Sequence, residues 1–342
     1  MRKGITLALL LTAAVWTTAC SGGSKDASGA DLSPMDVLNE DTQDAIEQDL
    51  AGKDTAKTPD EETTDTQEKA PLALRVMTFN VLCFFCDDVH FDPWEKRLDY
   101  FADIFERHDP DLIGLQELLF EDEVDAIIKR SPEYGAVFYE DDEQDLFKDY
   151  ADATILFKKE RFQVQDFGFY WLSETPDEPL SGGWADSNLP RMVTWAIFLD
   201  RTSGTEFYFA STHFDNNVPN QEMSAPLFVE RTRAAAAQRP VIVLGDFNSK
   251  PDTIAYGILN DEDSTPDEHL VNSFDIAATW RQETNQTPPP DYDTSHRIDH
   301  IWLVGDDTWE VDEWVVEQHV YGEQDRYPSD HFPMVVDVSL LP

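Results

Sequence analysis

Several apolar, strand-like segments of this chain finish in residues that bind metal ions or phosphate. Asn80 closes the first, Gln116-Glu117 the second, and Thr212-His213 another. Asp246 and Asn248 end the run PVIVLGDFN, Asp299-His300 sit within RIDHIW, and Asp330-His331 precede the last segment. One such ending means little, because a carboxylate after a strand is usually solvated and GDFN alone suits an Asx turn. The recurrence carries the argument: loops at one rim of a sheet place chemistry on a rigid support. The chemistry these residue types suit is metal-assisted phosphoester hydrolysis. A hard divalent cation takes carboxylate oxygens, which Glu117, Asp246 and Asp330 offer. The amides of Asn80 and Asn248 orient phosphate oxygens or coordinate metal without adding negative charge. His213 and His331 act as acids or, protonated, hold an anionic transition state, with Asp299 placed to orient His331.

The elements that must position these groups are legible as patterns. Leu74 to Leu82 alternates and is β-rich, and Asp111 to Leu118 is a short buried strand. Trp94, Leu98, Phe101 and Phe105 fall at helical spacing behind Pro93, and Phe120 to Arg130 predicts a second helix. Strands follow at Ala153 to Lys159, Phe162 to Ser173, Val193 to Arg201 and Glu206 to Phe214. Their spacing predicts two hairpins, one from the first two and one from the last two. A helix over Gln221 to Gln238 precedes the apolar strand Pro240 to Asn248, and a short helix spans Asp252 to Leu259. The late strands are Arg297 to Val304, Trp309 to Glu317 and Met334 to Leu340. Helices between some strands and hairpins between others imply an α/β fold with two mixed sheets packed face to face, helices outside.

Composition sets the class. The chain has 342 residues, 41% of them hydrophobic, with 9 Trp, 10 Tyr and 21 Phe, which is enough for a substantial core. Against 69 acidic residues stand only 25 Lys and Arg, a formal charge of −44, which excludes a broad basic surface for long nucleic acids. Three cysteines cannot build a disulfide framework. Residues 1–20 read as an export signal, with Arg2 and Lys3, an apolar run from Ile5 to Val15, and Thr17-Thr18-Ala19 before Cys20. Residues 21–70 carry 14 acids against 4 lysines and few aromatics, which predicts a disordered tether, with a weak amphipathic helix near Met35 to Leu50 as an alternative. Residues 71–342 then form one catalytic domain.

The motifs TFNVL (78–82), LQE (115–117), STHFDN (211–216), GDFNS (245–249), RIDHI (297–301) and SDHFP (329–333) together resemble the endonuclease/exonuclease/phosphatase superfamily. They run in family order through the folded region. The resemblance implies a four-layer α/β sandwich with its site in a cleft between the loops of the two sheets. It implies Mg²⁺ or Mn²⁺ held mainly by Glu117, with Asn80 and Asp330 nearby. It implies that Asp246 positions or activates the attacking water and that Asn248 holds the phosphate. His331, braced by Asp299, would stabilise the transition state, and His213 would serve the leaving group or the phosphate. The family often supports the middle histidine with an acid on the preceding strand, a role for which Asp152 is the nearest residue. LPRMVTW resembles a bacterial secreted subgroup, in which Arg191 would touch phosphate or else form a strand salt bridge. The stretch NVPNQEMS departs from that subgroup.

The residues Thr17-Thr18-Ala19-Cys20 resemble the lipobox of bacterial lipoproteins, which implies a lipid on Cys20 and anchoring to the envelope, at the outer membrane where one exists. Thr17 stands where Leu is usual, so a plain cleaved signal is the alternative. Outside the cytoplasm, Cys83 and Cys86 would form a small disulfide beside the site, and Phe84, Phe85 and His90 would line or cap the cleft. The expected protein is a lipid-anchored, monomeric phosphodiesterase or phosphatase acting on a small or lipid-linked phosphoester, without a stable nucleic-acid complex. The alternatives are an extracellular nuclease, a sphingomyelinase-like phospholipase and a non-catalytic surface scaffold.

Overall fold

The computed structural model describes residues 70–86, 89–140, 150–185, 189–260, 270–305 and 308–341. The leader with Cys20, the tether through residue 69 and the helix expected near Met35 lie outside the described residues.

The chain runs through β1 (Ala73–Asn80), α1 (Trp94–His108), β2 (Leu112–Gln116), α2 (Glu121–Ile128), β3 (Tyr134–Tyr139) and β4 (Tyr150–Lys158). Then come β5 (Phe162–Trp171), β6 (Met192–Asp200), β7 (Glu206–His213), α3 (Val218–Ala236), β8 (Val241–Asp246) and α4 (Ile254–Leu259). The remainder comprises β9 (Leu270–Asn272), α5 (Ser273–Ile276), β10 (Ala277–Glu283), β11 (Asp299–Val304), β12 (Trp309–Glu317) and β13 (Met334–Leu340). The strands form one sheet in the order β10-β12-β13-β1-β2-β4-β3 and a second in the order β5-β6-β7-β8-β11-β9.

Period-two alternation builds the layers. Leu74 and Val76 of β1, Phe207 and Phe209 of β7, and Ile242 and Leu244 of β8 share the core between the sheets. The intervening Met77 and Phe79 pack on Leu98, Phe101 and Phe105 of α1 and on Val124 and Ile127 of α2. Tyr208, Ala210 and Val243 pack on α3 and α4. The result is the four-layer α/β sandwich. Gly114 permits the sheets to close here, since a Cβ at that position would lie 2.0 Å from Leu244 Cδ1.

Two expectations are corrected. The strands at 153–159 and 162–173 do not form a hairpin: β4 pairs with β2 and β3, whereas β5 is the edge strand of the other sheet and pairs with β6. Three residues link them, and an extended tripeptide spans about the 10 Å between packed sheets, so the same spacing serves a turn or a crossing. Arg161 secures the crossing by pairing with Asp111 at 2.7 Å on one sheet and Asp200 at 3.0 Å on the other. The second expected hairpin, β6–β7, is antiparallel as predicted. The sequence reading also lacked β3, β9 and β10; β10 is an edge strand with four consecutive exposed residues and little apolar signal. Among the described residues no helix is long and apolar enough to cross a membrane.

Candidate active site

The apolar stripes facing the intersheet core turn polar at one end of the sandwich. In β1 the stripe continues as Thr78 and Asn80, in β2 as Gln116, in β7 as Ser211 and His213, and in β8 as Asp246. Strand register then aligns the groups. His213 lies opposite Asp246 on parallel β7 and β8, and Asp246 lies opposite Asp299 on antiparallel β8 and β11. On the facing sheet Asn80 lies opposite Gln116. Gly245 lets β8 pass β7 closely, with φ +151° and no room for a side chain against the Thr212 carbonyl.

The side chains converge on Asp246. Asn80 Nδ2 donates to Asp246 Oδ2 at 3.1 Å and to Glu117 Oε1 at 3.0 Å. His213 Nε2 lies 3.5 Å and His331 Nε2 3.7 Å from the same Asp246 oxygen. Asp246 Oδ1 accepts the backbone N–H of Asn248 at 2.8 Å. Asn248 adopts φ +48° and donates its Nδ2 to Phe214 O at 2.9 Å. Glu117, at φ +68°, is a second left-handed residue, and such backbone persists only where its surroundings over-determine it.

Each histidine has a carboxylate behind it. Asp152 Oδ1 accepts from His213 Nδ1 at 2.8 Å and from the Glu117 N–H at 2.7 Å. Burial alone would raise the Asp152 pKa, but His213 and Arg191 hold it below the usual carboxylate range. Arg191 Nη1 donates to Asp152 Oδ2 at 3.3 Å and lies 2.7 Å from His213 Nδ1. Arg191 is thus a salt-bridging residue in contact with the catalytic histidine candidate. Asp299 Oδ2 accepts from His331 Nδ1 at 2.8 Å. Burial opposes charge on His331, yet Asp299 and Asp246 raise it well above the ordinary histidine range. Burial raises Asp299 too, against the pull of His331. His300 takes no part: it is buried on the other face of β11, donates from Nε2 to Ser249 O at 2.8 Å, and burial lowers its pKa to about 3.

The donor set fits a hard divalent cation. Glu117 and Asp246 oxygens meet at one Asn80 nitrogen. Asp246, Asp299 and His331 also come within 4.8 Å of one another, but a His331 held in its charged form has no lone pair to give a metal. Asp299 Oδ1 is buried and has no hydrogen-bond partner among the described residues. Asp330 is drawn in less tightly: it is exposed, and its Oδ1 accepts from Ser329 Oγ at 3.4 Å. Cys83 and Cys86 are joined in a disulfide, so neither offers a thiolate to metal.

Three positioning residues escaped the sequence reading. Arg97, buried on the apolar face of α1, donates to the carbonyls of Val81, Leu82, Cys83 and Pro328, tying together the loops that carry Asn80 and His331. Burial lowers its pKa to about 10, opposed by Asp330 and Glu117. Its place between Trp94 and Phe101 in the helical stripe was the available signal. Ser329 Oγ donates to Asn80 O at 2.7 Å and accepts from His331 N at 3.2 Å. Gln221 donates to Asn248 O at 2.8 Å, which gives the divergent NVPNQEMS stretch a structural task at the start of α3.

Residues 77–331 match the Endonuclease/Exonuclease/phosphatase family, a span that covers three quarters of the chain and includes every convergent side chain above. The chain belongs to that family. Its members are hydrolases acting on phosphoesters and are generally dependent on divalent metal. A family protein of Bacteroides thetaiotaomicron is 28% identical, with a TM-score of 0.70 over 80% of this chain and 100% of that one. A mannosyl-6-phosphatase of the same organism is 28% identical, with a TM-score of 0.67 over 78% of this chain and 99% of that one. An uncharacterized protein of Acanthamoeba polyphaga mimivirus is 27% identical over 183 residues, 52% of this chain and 67% of the relative.

Proposed function

We propose that this family member is a Mg²⁺-dependent hydrolase of small phosphoesters, exported and held at the cell envelope by a lipid on Cys20. The observation that carries the catalytic reading is the convergence of Asn80, His213 and His331 on one Asp246 oxygen. Asp246 takes the proton of a water whose oxygen bonds to phosphorus as the bond from phosphorus to the leaving oxygen breaks. His213, oriented by Asp152, gives a proton to that leaving oxygen. His331, kept cationic by Asp299 and Asp246, balances charge on the non-bridging oxygens. Glu117, with Asn80 beside it, would hold a divalent cation, which would supply further charge stabilisation of the phosphoryl group.

The −44 charge supports small substrates over long polyanions, which the surface repels except at high salt. The similarity to a mannosyl-6-phosphatase supports a phosphatase among the phosphoester readings. Hydrolysis of bis-p-nitrophenyl phosphate, p-nitrophenyl phosphate and a sugar phosphate, each with Mg²⁺ and with EDTA, tests the proposal. Turnover should vanish with EDTA and return with Mg²⁺, and Glu117→Gln should raise the Mg²⁺ concentration needed. Turnover that survives chelation, or no hydrolysis of any phosphoester by well-folded protein, refutes it.

A further inference from the structure

The loop that follows Asn80 is short, closed and aromatic. A disulfide joins Cys83 to Cys86, and the Cys86 N–H donates to Cys83 O at 3.2 Å, so Phe84 and Phe85 form the tip of a four-residue ring. This ring abuts the proposed metal carboxylate. The Cys83 N–H donates to Glu117 Oε2 at 2.9 Å, and both sulfurs lie within 4.8 Å of a Glu117 oxygen. Arg97 holds the Cys83 carbonyl from below at 3.0 Å.

The aromatic tip is not buried. Phe84 is 41% and Phe85 64% exposed, and Phe120, three residues after Glu117, is 37% exposed. The rings of Phe84 and Phe85 meet edge to face with centroids 4.9 Å apart, and Phe84 lies 6.3 Å from Phe120. Single exposed apolar residues need no explanation, but three clustered phenyl rings beside a reactive carboxylate do. The closed ring keeps them from folding inward, so binding against them costs little ordering entropy.

We propose that Phe84, Phe85 and Phe120 form the subsite for the organic arm of the phosphoester and that this subsite selects a planar aromatic arm. The proposal rests on the phosphoester reading of the adjacent site and names its substrate class. The disulfide ring abuts Glu117, which Asn80 ties to Asp246, so for a phosphoester bound at this site the phenyl rings are a neighbouring surface on which a flat arm would lie. Such a surface offers no hydrogen bonds to a polyhydroxylated arm, whose hydroxyls would be desolvated without partners. A lipid surface is disfavoured as occupant, because the exposed acids Glu121 and Asp122 directly follow Phe120 and would meet the headgroups.

The test uses phenylphosphonate and methylphosphonate, which carry the same anionic group and one organic arm each. Competitive inhibition of bis-p-nitrophenyl phosphate hydrolysis should favour phenylphosphonate by about tenfold or more, the range of a single ring stacked on an aromatic side chain. In the double variant Phe84→Ala/Phe85→Ala that preference should collapse toward parity, with methylphosphonate still inhibiting and the disulfide intact by thiol titration. Equal inhibition constants in the native protein, or a preference that persists in the double variant, overturn the proposal. So does binding to phosphatidylcholine vesicles that needs both phenylalanines while the phosphonates are not distinguished. Calorimetric titration of the two phosphonates in Mg²⁺ reads the same preference without turnover, which separates failure of this inference from failure of the hydrolase reading.

Discussion

Asp152→Asn tests the best-defined support in the site. The native carboxylate is fully buried and accepts from His213 Nδ1, the Glu117 N–H and Arg191, and it stays ionised because His213 and Arg191 outweigh its burial. Asparagine keeps the shape but has one acceptor oxygen. If that oxygen keeps the Glu117 N–H, an NH₂ group faces His213 Nδ1, which must then accept rather than donate. An imidazole that must accept at Nδ1 cannot also carry a proton there, so the doubly protonated form that gives a proton to the leaving oxygen is disfavoured. A charge-assisted hydrogen bond contributes about 1.5–3 kcal/mol, so the loss in kcat should be roughly 10- to 150-fold, with KM nearly unchanged. Arg191 is also left without its partner in the interior, which should cost about 3–5 kcal/mol of stability. The assay is steady-state turnover of bis-p-nitrophenyl phosphate at saturating Mg²⁺ and well below the melting temperature of each variant. Combining Asp152→Asn with His213→Ala completes a double-mutant cycle. If Asp152 acts through His213, it should cost almost nothing further in the His213→Ala background. A residual loss reversed by more Mg²⁺ would report the Glu117 contact. Full additivity at saturating metal would refute the reasoning.

His213→Ala and His331→Ala should each lower kcat by about 100- to 10,000-fold, whereas His300→Ala should lower the melting temperature and leave kcat nearly intact; the reverse ranking would mean the β11 register has been misread. Glu317, buried and pulled down to about 2 by His108 and Arg107 although burial opposes this, has a folded pKa below its unfolded value of 4.5. Its contribution, roughly 3 kcal/mol, is therefore fully present above about pH 4.5 and lost as pH falls toward 2. Urea midpoints should drop between pH 5 and pH 3 in the native protein and much less in Glu317→Gln; equal slopes would overturn this. Cys20→Ala should move the protein out of the membrane fraction or leave the leader uncleaved, and unchanged membrane association by fractionation would point to another attachment.

The polar strand endings that the fold brings together were legible in the sequence because a strand and its terminal residue are local features. The alternating strand that ends in Asn80 declares both its inward face and the polar group at its rim, whereas the strands that end in His213 and Asp246 are buried on both faces and declare only the polar ending. Arg97 was equally readable in principle, as a cation inside the apolar stripe of α1. What local pattern could not supply is which strands face each other. The three residues after β4 suit a hairpin as well as a crossing, and the pairing of β4 and β5 in opposite sheets, bridged by the Arg161 pairs with Asp111 and Asp200, decides between them. That crossing sets β4 against β2, which brings Asp152 to Glu117 and, across the cleft, to His213. Asp152 is 61 positions from His213 in the chain. Such a contact is fixed by the packing of two sheets, which depends on side chains from every strand at once. The sequence by itself determined the succession of apolar strands and the metal- and phosphate-binding residue types at their ends; the tertiary structure decided which acid stands behind which histidine.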